Sequence, residues 1–200
     1  MASFLAVETV CQAIIQMLEA SFQGENFNSD NLEFEVYSGQ DFQSGMTAGV
    51  SLYLYRILIN DAHRIPTGRI MPDGKRKQTQ LPLDLQFLLT AWGAASLQHR
   101  IAGWMMRIVE DFPIIPAAYL NTVAPGVFKS NENVEVVQGE LSNEDLFHLW
   151  ESLHHNKYQL SIPYVARNVR IESTQEYEEG IPIHERKFKL YKLQDSLVGF

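Results

Sequence analysis

The sequence predicts an α/β fold of the α+β kind, a single mixed and mostly antiparallel sheet packed with helices. Three observations carry this. Two long stretches repeat apolar residues at steps of three and four, and several shorter stretches alternate apolar with polar residues. The two kinds follow one another as helix, strands, helix, strand, helix, strand, which suits one domain better than separate layers. At 200 residues, 46% apolar and 20% charged, the chain is large enough to bury a sizeable core. The expected division is a domain over 1–173 and a C-terminal extension over 174–200 that ends in an extended arm.

Val7, Val10, Cys11, Ile14, Met17, Leu18 and Phe22 share one face of a first helix, which the polar stretch 24–31 ends. Leu32, Phe34 and Val36 alternate with Glu33 and Glu35, the pattern of a half-buried strand. Residues 50–59, VSLYLYRILI, are β-branched or aromatic on both faces and predict a central strand. A long loop over 61–80 holds Pro66, Gly68, Pro72 and Gly74. In 83–91, Leu83, Leu85, Phe87 and Leu89 face one way and Asp84, Gln86 and Thr90 the other.

A second helix is predicted over 94–112, with Leu97, Ile101, Trp104, Met105 and Ile108 as its buried stripe and Pro113 and Pro116 as its stop. Residues 134–139 form a short strand. Ser142 and Asp145 are spaced as an N-cap and its acidic partner, opening a short helix with Leu146, Leu149, Trp150 and Leu153 inward. Residues 158–172 are extended. Pro163 predicts that this strand lies at an edge or is bent, because proline has no ladder donor.

The net charge of −8 argues against a general role in coating nucleic acid, which needs lysine and arginine in excess. The charge is unevenly placed. No lysine or arginine precedes Arg56, while Glu8, Glu19, Glu25, Asp30, Glu33, Glu35 and Asp41 all do. Basic residues gather in 64–77 and 186–192, as in a subunit whose acidic part meets a neighbour's basic part. A solvated surface of uneven charge is the alternative. Cys11, the one cysteine, sits on an apolar stripe, which predicts an inert buried thiol and a reducing compartment. The N-terminus has no signal-peptide pattern and no apolar run approaches a membrane span. A soluble protein assembled in the cytoplasm, without membrane insertion, is the expectation.

Catalytic signatures are not found: no phosphate-binding glycine loop, no G-x-S-x-G turn and no H-E-x-x-H pair. No catalytic residue, metal ligand or cofactor is therefore assigned. His154 and His155 are adjacent and would point about 100° apart on a helix. His148 and His155 can face the same way but lack a third ligand at a suitable spacing. His99, beside Arg100, suits a surface or interface. Trp92, Trp104 and Trp150 are expected in the core or between subunits.

The candidate functional residues are therefore interfacial. In the loop they are Arg64, Arg69, Lys75, Arg76 and Lys77, placed to touch an acidic neighbour or line a pore. In the arm they are Arg186, Lys187, Phe188, Lys189, Leu190, Tyr191, Lys192 and Leu193, an extended run whose backbone groups need a partner edge. Donation of that strand to a neighbouring protein is one solution, and addition to its own sheet is the other.

An ordered set of segments carries a family resemblance. It comprises Leu52-Tyr-Leu-Tyr-Arg56, Leu83-Asp-Leu-Gln-Phe-Leu-Leu-Thr-Ala-Trp92, Gln98-His-Arg100 and Val109-Glu-Asp-Phe-Pro-Ile-Ile-Pro116. It continues with Leu141-Ser-Asn-Glu-Asp-Leu-Phe-His-Leu-Trp150, Tyr158-Gln-Leu-Ser-Ile-Pro-Tyr164 and Val169-Arg-Ile-Glu-Ser173. Over residues 5–173 the chain resembles the cap, or tail-terminator, proteins of extracellular contractile injection systems, the phage-tail-like particles of the virulence-cassette and antifeeding-prophage types.

The resemblance implies a tail-terminator-like fold and a structural role without catalytic residues. A hexameric ring of the chain would close the inner tube and sheath opposite the baseplate and end tail elongation. Its partners would be its own copies, the sheath and the tube. The strand over 83–92 and the helix over 97–112 would form the framework, leaving the loop over 61–80 free to contact a neighbour or the tube. A neck or baseplate adaptor of the same particle is the alternative, since it too needs ring contacts. Loss of a cap gives tails of uncontrolled length, whereas loss of an adaptor prevents assembly. A small-molecule enzyme would need titratable groups converging in one cleft, and a free-standing regulatory domain would need no ring.

Overall fold

Alternation in the apolar segments builds one six-stranded sheet. The computed structural model describes residues 3–27, 31–63, 80–153 and 158–173. Its strands are β1 (Glu33–Tyr37), β2 (Gly49–Ile59), β3 (Gln80–Trp92), β4 (Ile114–Ile115), β5 (Val134–Gln138) and β6 (Ser161–Glu172). Its helices are α1 (Ala6–Ser21), α2 (Ser96–Asp111), α3 (Ala117–Val123) and α4 (Asn143–Leu153). The strand order is β1-β2-β3-β6-β5-β4, and of the pairings only β1 with β2 is parallel. This is the mixed, mostly antiparallel fold the sequence predicts.

Period two decides which side chains meet the helices. Val50 and Leu52 of β2, Leu83 to Ala91 at every second residue of β3, and Ile162, Tyr164 and Ala166 of β6 all enter the main core. There they meet the apolar stripes of α1 and α2, including Val10, Ile14, Leu18, Ile101 and Met105. Each such aliphatic side chain contributes about 1.5–3 kcal/mol on burial. Trp104 of α2 locks the first half together, with ring centroids 6.3, 5.6 and 6.0 Å from Phe22, Phe27 and Phe34.

The opposite face carries a second, smaller core. Trp92 from β3, Tyr37 at the end of β1, Phe42 and Met46 from the link after β1, and Trp150 from α4 pack there. Ser142 caps α4 as its spacing predicts: Asp145 N donates to Ser142 Oγ at 3.0 Å, and that hydroxyl donates to Asp145 Oδ2 at 2.7 Å. Ser161 pins the helix to the sheet, accepting from Trp150 Nε1 at 3.2 Å and donating to Gln159 O at 3.0 Å. All three tryptophans are thus buried within the subunit.

Pro163 does not put its strand at an edge. β6 lies inside the sheet, between β3 and β5. The proline stands one step beyond the β5 ladder, whose last pair is Gln138 with Tyr164, so its missing donor costs little there. Its carbonyl still accepts from Gly139 N at 2.9 Å. Pro82 in β3 uses the same device just past the end of β2, accepting from Asn60 N at 3.0 Å. The bend in β6 comes instead at Asn168, which has a φ of 66° where the register to β3 shifts.

The 50–59 segment is central only in its first half. β1 pairs with Gly49 to Tyr53, so beyond Tyr53 the strand has β3 as its single neighbour among the described residues. α3 and β4 were not legible from the sequence. Seven and two residues, flanked by Pro113 and Pro116, are too short to show a period.

Candidate functional site

An open cleft of about 1130 Å³ lies between α4 and the sheet, lined among others by Tyr55, Arg56, Gln86, Gln138 and His148. It offers hydrogen-bonding groups. Burial raises the Tyr55 phenol there, moving it further from ionisation at neutral pH. His148 lies exposed on α4 at 3.8 Å from Glu144 and 3.7 Å from Glu151. His154 and His155 fall outside the described residues. Among those described, no three metal-ligating side chains come together. Cys11 is buried in α1, and desolvation pushes its thiol up to about 12, which keeps it protonated and unreactive.

The predicted interface residues Arg64, Arg69, Lys75, Arg76 and Lys77, and Arg186 to Leu193, all lie outside the described residues. Their roots do not, and the fold brings those roots together. The loop leaves after Asn60, whose Nδ2 donates to both Asp84 carboxylate oxygens at 3.3 and 3.0 Å. It returns at Gln80, which pairs in register with Glu172 at the end of β6, where the C-terminal extension departs. Gln80 Nε2 donates to Glu172 Oε1 at 2.5 Å, and Lys129 forms an ion pair with the same oxygen. The return of the loop at Gln80 and the end of β6 at Glu172 are therefore adjacent, joined through the Glu172 carboxylate, while the loop's departure is held by Asp84.

The Glu172 side chain is only 3% exposed, and its Oε2 has no hydrogen-bond partner among the described residues. Burial opposes its ionisation, but the hydrogen bonds from Lys129 and Gln80 and the Lys129 charge outweigh it. The carboxyl is held below its ordinary value of 4.5. A depressed folded-state pKa stabilises the fold fully above the ordinary value and loses that contribution as pH falls through the folded one. Glu172→Gln is expected to cost about 1–2 kcal/mol at pH 7, discounted because Lys129 is half exposed. In urea titrations the gap to the unsubstituted protein should narrow below pH ~4. A gap that is constant with pH would contradict this origin.

The two rims of the sheet differ in chemistry. On one, Arg56, Ile57 and Ile59 project from the half of β2 that β1 does not reach, with the isoleucines 47% and 51% exposed. On the other, Phe112 and Ile114 are 51% and 58% exposed beside Glu110 and Asp111. Sequence reasoning missed both. The signal in β2 was an apolar run longer than its neighbour β1 could cover.

Residues 9–185 match the family described as the Pvc16 N-terminal domain. The chain belongs to this family. Two solved structures share the fold of this Pvc16-family chain. One is the sheath/tube terminator of the PVC extracellular contractile injection system in its extended state, at 16% identity and a TM-score of 0.60. That match covers 96% of this chain and 65% of the other. The second is the anti-feeding prophage cap, described as a tube terminating cap, at 16% identity and a TM-score of 0.59. It covers 90% of this chain and 60% of the other. The chain thus spans less than two thirds of either solved chain. No curated protein matches it in sequence. The tail-terminator-like fold expected from the ordered segments is the one observed.

Proposed function

We propose that this Pvc16-family chain is a structural, non-catalytic cap of a contractile injection system. It forms a hexameric ring that closes the inner tube and sheath opposite the baseplate and ends tail elongation. The observation that carries this reading is the likeness to two terminators over 96% and 90% of the chain, joined to the family match. Its partners are then its own copies, the sheath and the tube, and its place is within the particle.

Ring closure fixes the number of subunits: each meets its neighbours through two different surfaces, and once the ring is complete no lateral surface is left for a further copy. The sheath end that it covers presents unpaired strand edges, which the arm over 186–193 would satisfy by donating a strand. The basic loop with Arg64, Arg69, Lys75, Arg76 and Lys77 would face an acidic neighbour or the tube. The loop returns at Gln80, beside Glu172, the end of β6 after which the C-terminal extension follows.

The test mixes the purified protein with its sheath and tube subunits and images the tail ends by negative stain. Rings on one end only are expected. A version lacking residues 181–200 should stay folded by circular dichroism and leave the ends uncapped. A protein that never binds tail ends would overturn the terminator reading. Normal capping by the shortened form would overturn only the role of the arm.

A further inference from the structure

We infer that residues 186–193 add to the sheet of their own subunit, as a strand antiparallel to Leu54–Ile59 of β2. The arm proposed above for donation to a sheath end is thereby stored until it is handed over, and that purpose rests on the cap reading. β1 pairs with Gly49 to Tyr53 and stops, while β2 continues to Ile59 with no partner on its outer side among the described residues. Such an edge presents free N–H and C=O groups, and the half-exposed Ile57 and Ile59 stand beside them.

The register of the sheet brings the arm to this edge. Ile59 is level with Leu83 of β3 and Leu83 with Val169 of β6, so β6 ends by the same end of the sheet as β2. From β6 across β3 and β2 to the open lane is three strand spacings, about 15 Å. Residues 173–185 span up to about 40 Å when extended, so residue 186 reaches the Ile59 end of the lane with slack. A chain that enters there runs back towards Tyr53, which makes it antiparallel to β2.

One pairing satisfies the side chains. With Phe188 opposite Ile59, Leu190 falls opposite Ile57, and both cover the isoleucines on the face of the main core, where Leu83 and Leu85 lie. Tyr191 then falls opposite Arg56, on the side of the α4 cleft, and Arg186 comes level with Asp61. A shift of one residue either way puts Lys189 against an isoleucine. The run contains no proline or glycine to interrupt a ladder.

Charge favours the same occupant. Arg186, Lys187, Lys189 and Lys192 make the arm basic. Exposed carboxylates stand at both ends of the lane, Asp61 beyond Ile59 and Glu33, Glu35 and Asp41 around Tyr37. Arg56 is the single arginine or lysine of β1, β2 and the turn 61–63, so this edge is acidic on balance and attracts a basic strand.

The experiment uses the full chain carrying Ile59→Cys with Phe188→Cys, and Ile59→Cys with Lys187→Cys as the register control. The native Cys11 is buried and stays out of the chemistry. Under mild oxidation of dilute protein, the first pair should close within one chain about tenfold or more faster than the control, read as a faster-running monomer on a non-reducing gel. Deleting residues 181–200 should speed amide exchange in Leu54–Ile59 about tenfold or more and leave β3 and β6 unchanged. Equal closure of both pairs, or unchanged exchange at the edge after the deletion, would overturn the inference. So would crosslinked dimers from a mixture of the two single-cysteine chains, which would give the strand to a second copy. The locked and reduced proteins are then mixed with sheath and tube subunits. Capping by the reduced form alone supports the hand-over, and equal capping by the locked form overturns it. If neither form caps, the cap reading falls while the storage, measured on the protein alone, stands.

Discussion

Gly49→Ala is expected to destabilise the protein by about 3 kcal/mol or more, because its methyl group has nowhere to go. Gly49 opens β2 with a φ of 153°, and a Cβ there would lie 2.0 Å from Glu33 O and 2.7 Å from Met46 Sδ. A thioether can swing aside. The carbonyl cannot, since Glu33 is the register partner of Gly49 and its N–H donates to Ala48 O at 3.0 Å. The sheet can make room only by moving β1 away from β2. Phe34 and Val36 would then lose their packing against the main core, and Trp104 one wall of its aromatic box. Gly103→Ala is the matched control. It lies in α2 with nothing within 4 Å of its added methyl, so it should stabilise by about 0.5–1 kcal/mol. Urea midpoints moving in opposite directions would bear this out, and an unchanged midpoint for Gly49→Ala would contradict it. Loss of β1 would also lengthen the free edge of β2, so the variant should aggregate more readily than its stability alone suggests.

How much of this was legible in the sequence follows from the range over which each signal acts. α1 and α2 each run for 16 residues, long enough for a 3.6-residue period to declare itself, and Val10, Cys11, Ile14, Met17, Leu18, Ile101, Trp104, Met105 and Ile108 are buried as read from spacing, while Val7 and Leu97 are only half-buried. The α4 cap was legible because Ser142 and Asp145 act within one turn. Pro163 misled because a proline reports its own missing donor and says nothing of whether a partner stands opposite; here the partner strand has already ended. The exposed half of β2 was hidden for a related reason. Ile57 and Ile59 look as buried in sequence as Val50 and Leu52, but β1 ends opposite Tyr53 and the register to β3 shifts between Leu54 and Arg56. The candidate loop and arm were visible as charge and alternation. That their roots share Glu172 depends on a pairing across 92 residues, which no local pattern announces.

Phe42→Ala should remove about 3–5 kcal/mol, the usual cost of truncating a buried aromatic ring, and the loss should be uneven across the molecule. Phe42 is fully buried in a single turn, Asp41–Gln43, yet four aromatic rings converge on it. Tyr37, Tyr53 and Trp150 have centroids 5.3, 5.2 and 5.3 Å away, and Trp92 lies at 6.0 Å. The turn is held by Asp41, whose Oδ2 accepts from Ser38 N and Ser38 Oγ at 2.7 Å each, so the phenylalanine is positioned before it packs. Two buried donors depend on the rings keeping their tilt: Trp92 Nε1 to Ser51 Oγ at 2.7 Å and Trp150 Nε1 to Ser161 Oγ at 3.2 Å. A cavity that let either indole turn would add an unsatisfied buried N–H to the lost packing. The main core contains none of these rings and lies on the other face of the sheet. Amide exchange in Phe42→Ala should therefore accelerate first in α4, while β3 and β6, paired along most of their length, stay protected at the level of the remaining global stability. Uniform acceleration would mean that the two cores unfold as one unit. Selective loss would mean that α4, with the cleft it lines, is a separately stabilised part of the protein, able to loosen while the sheet stays folded.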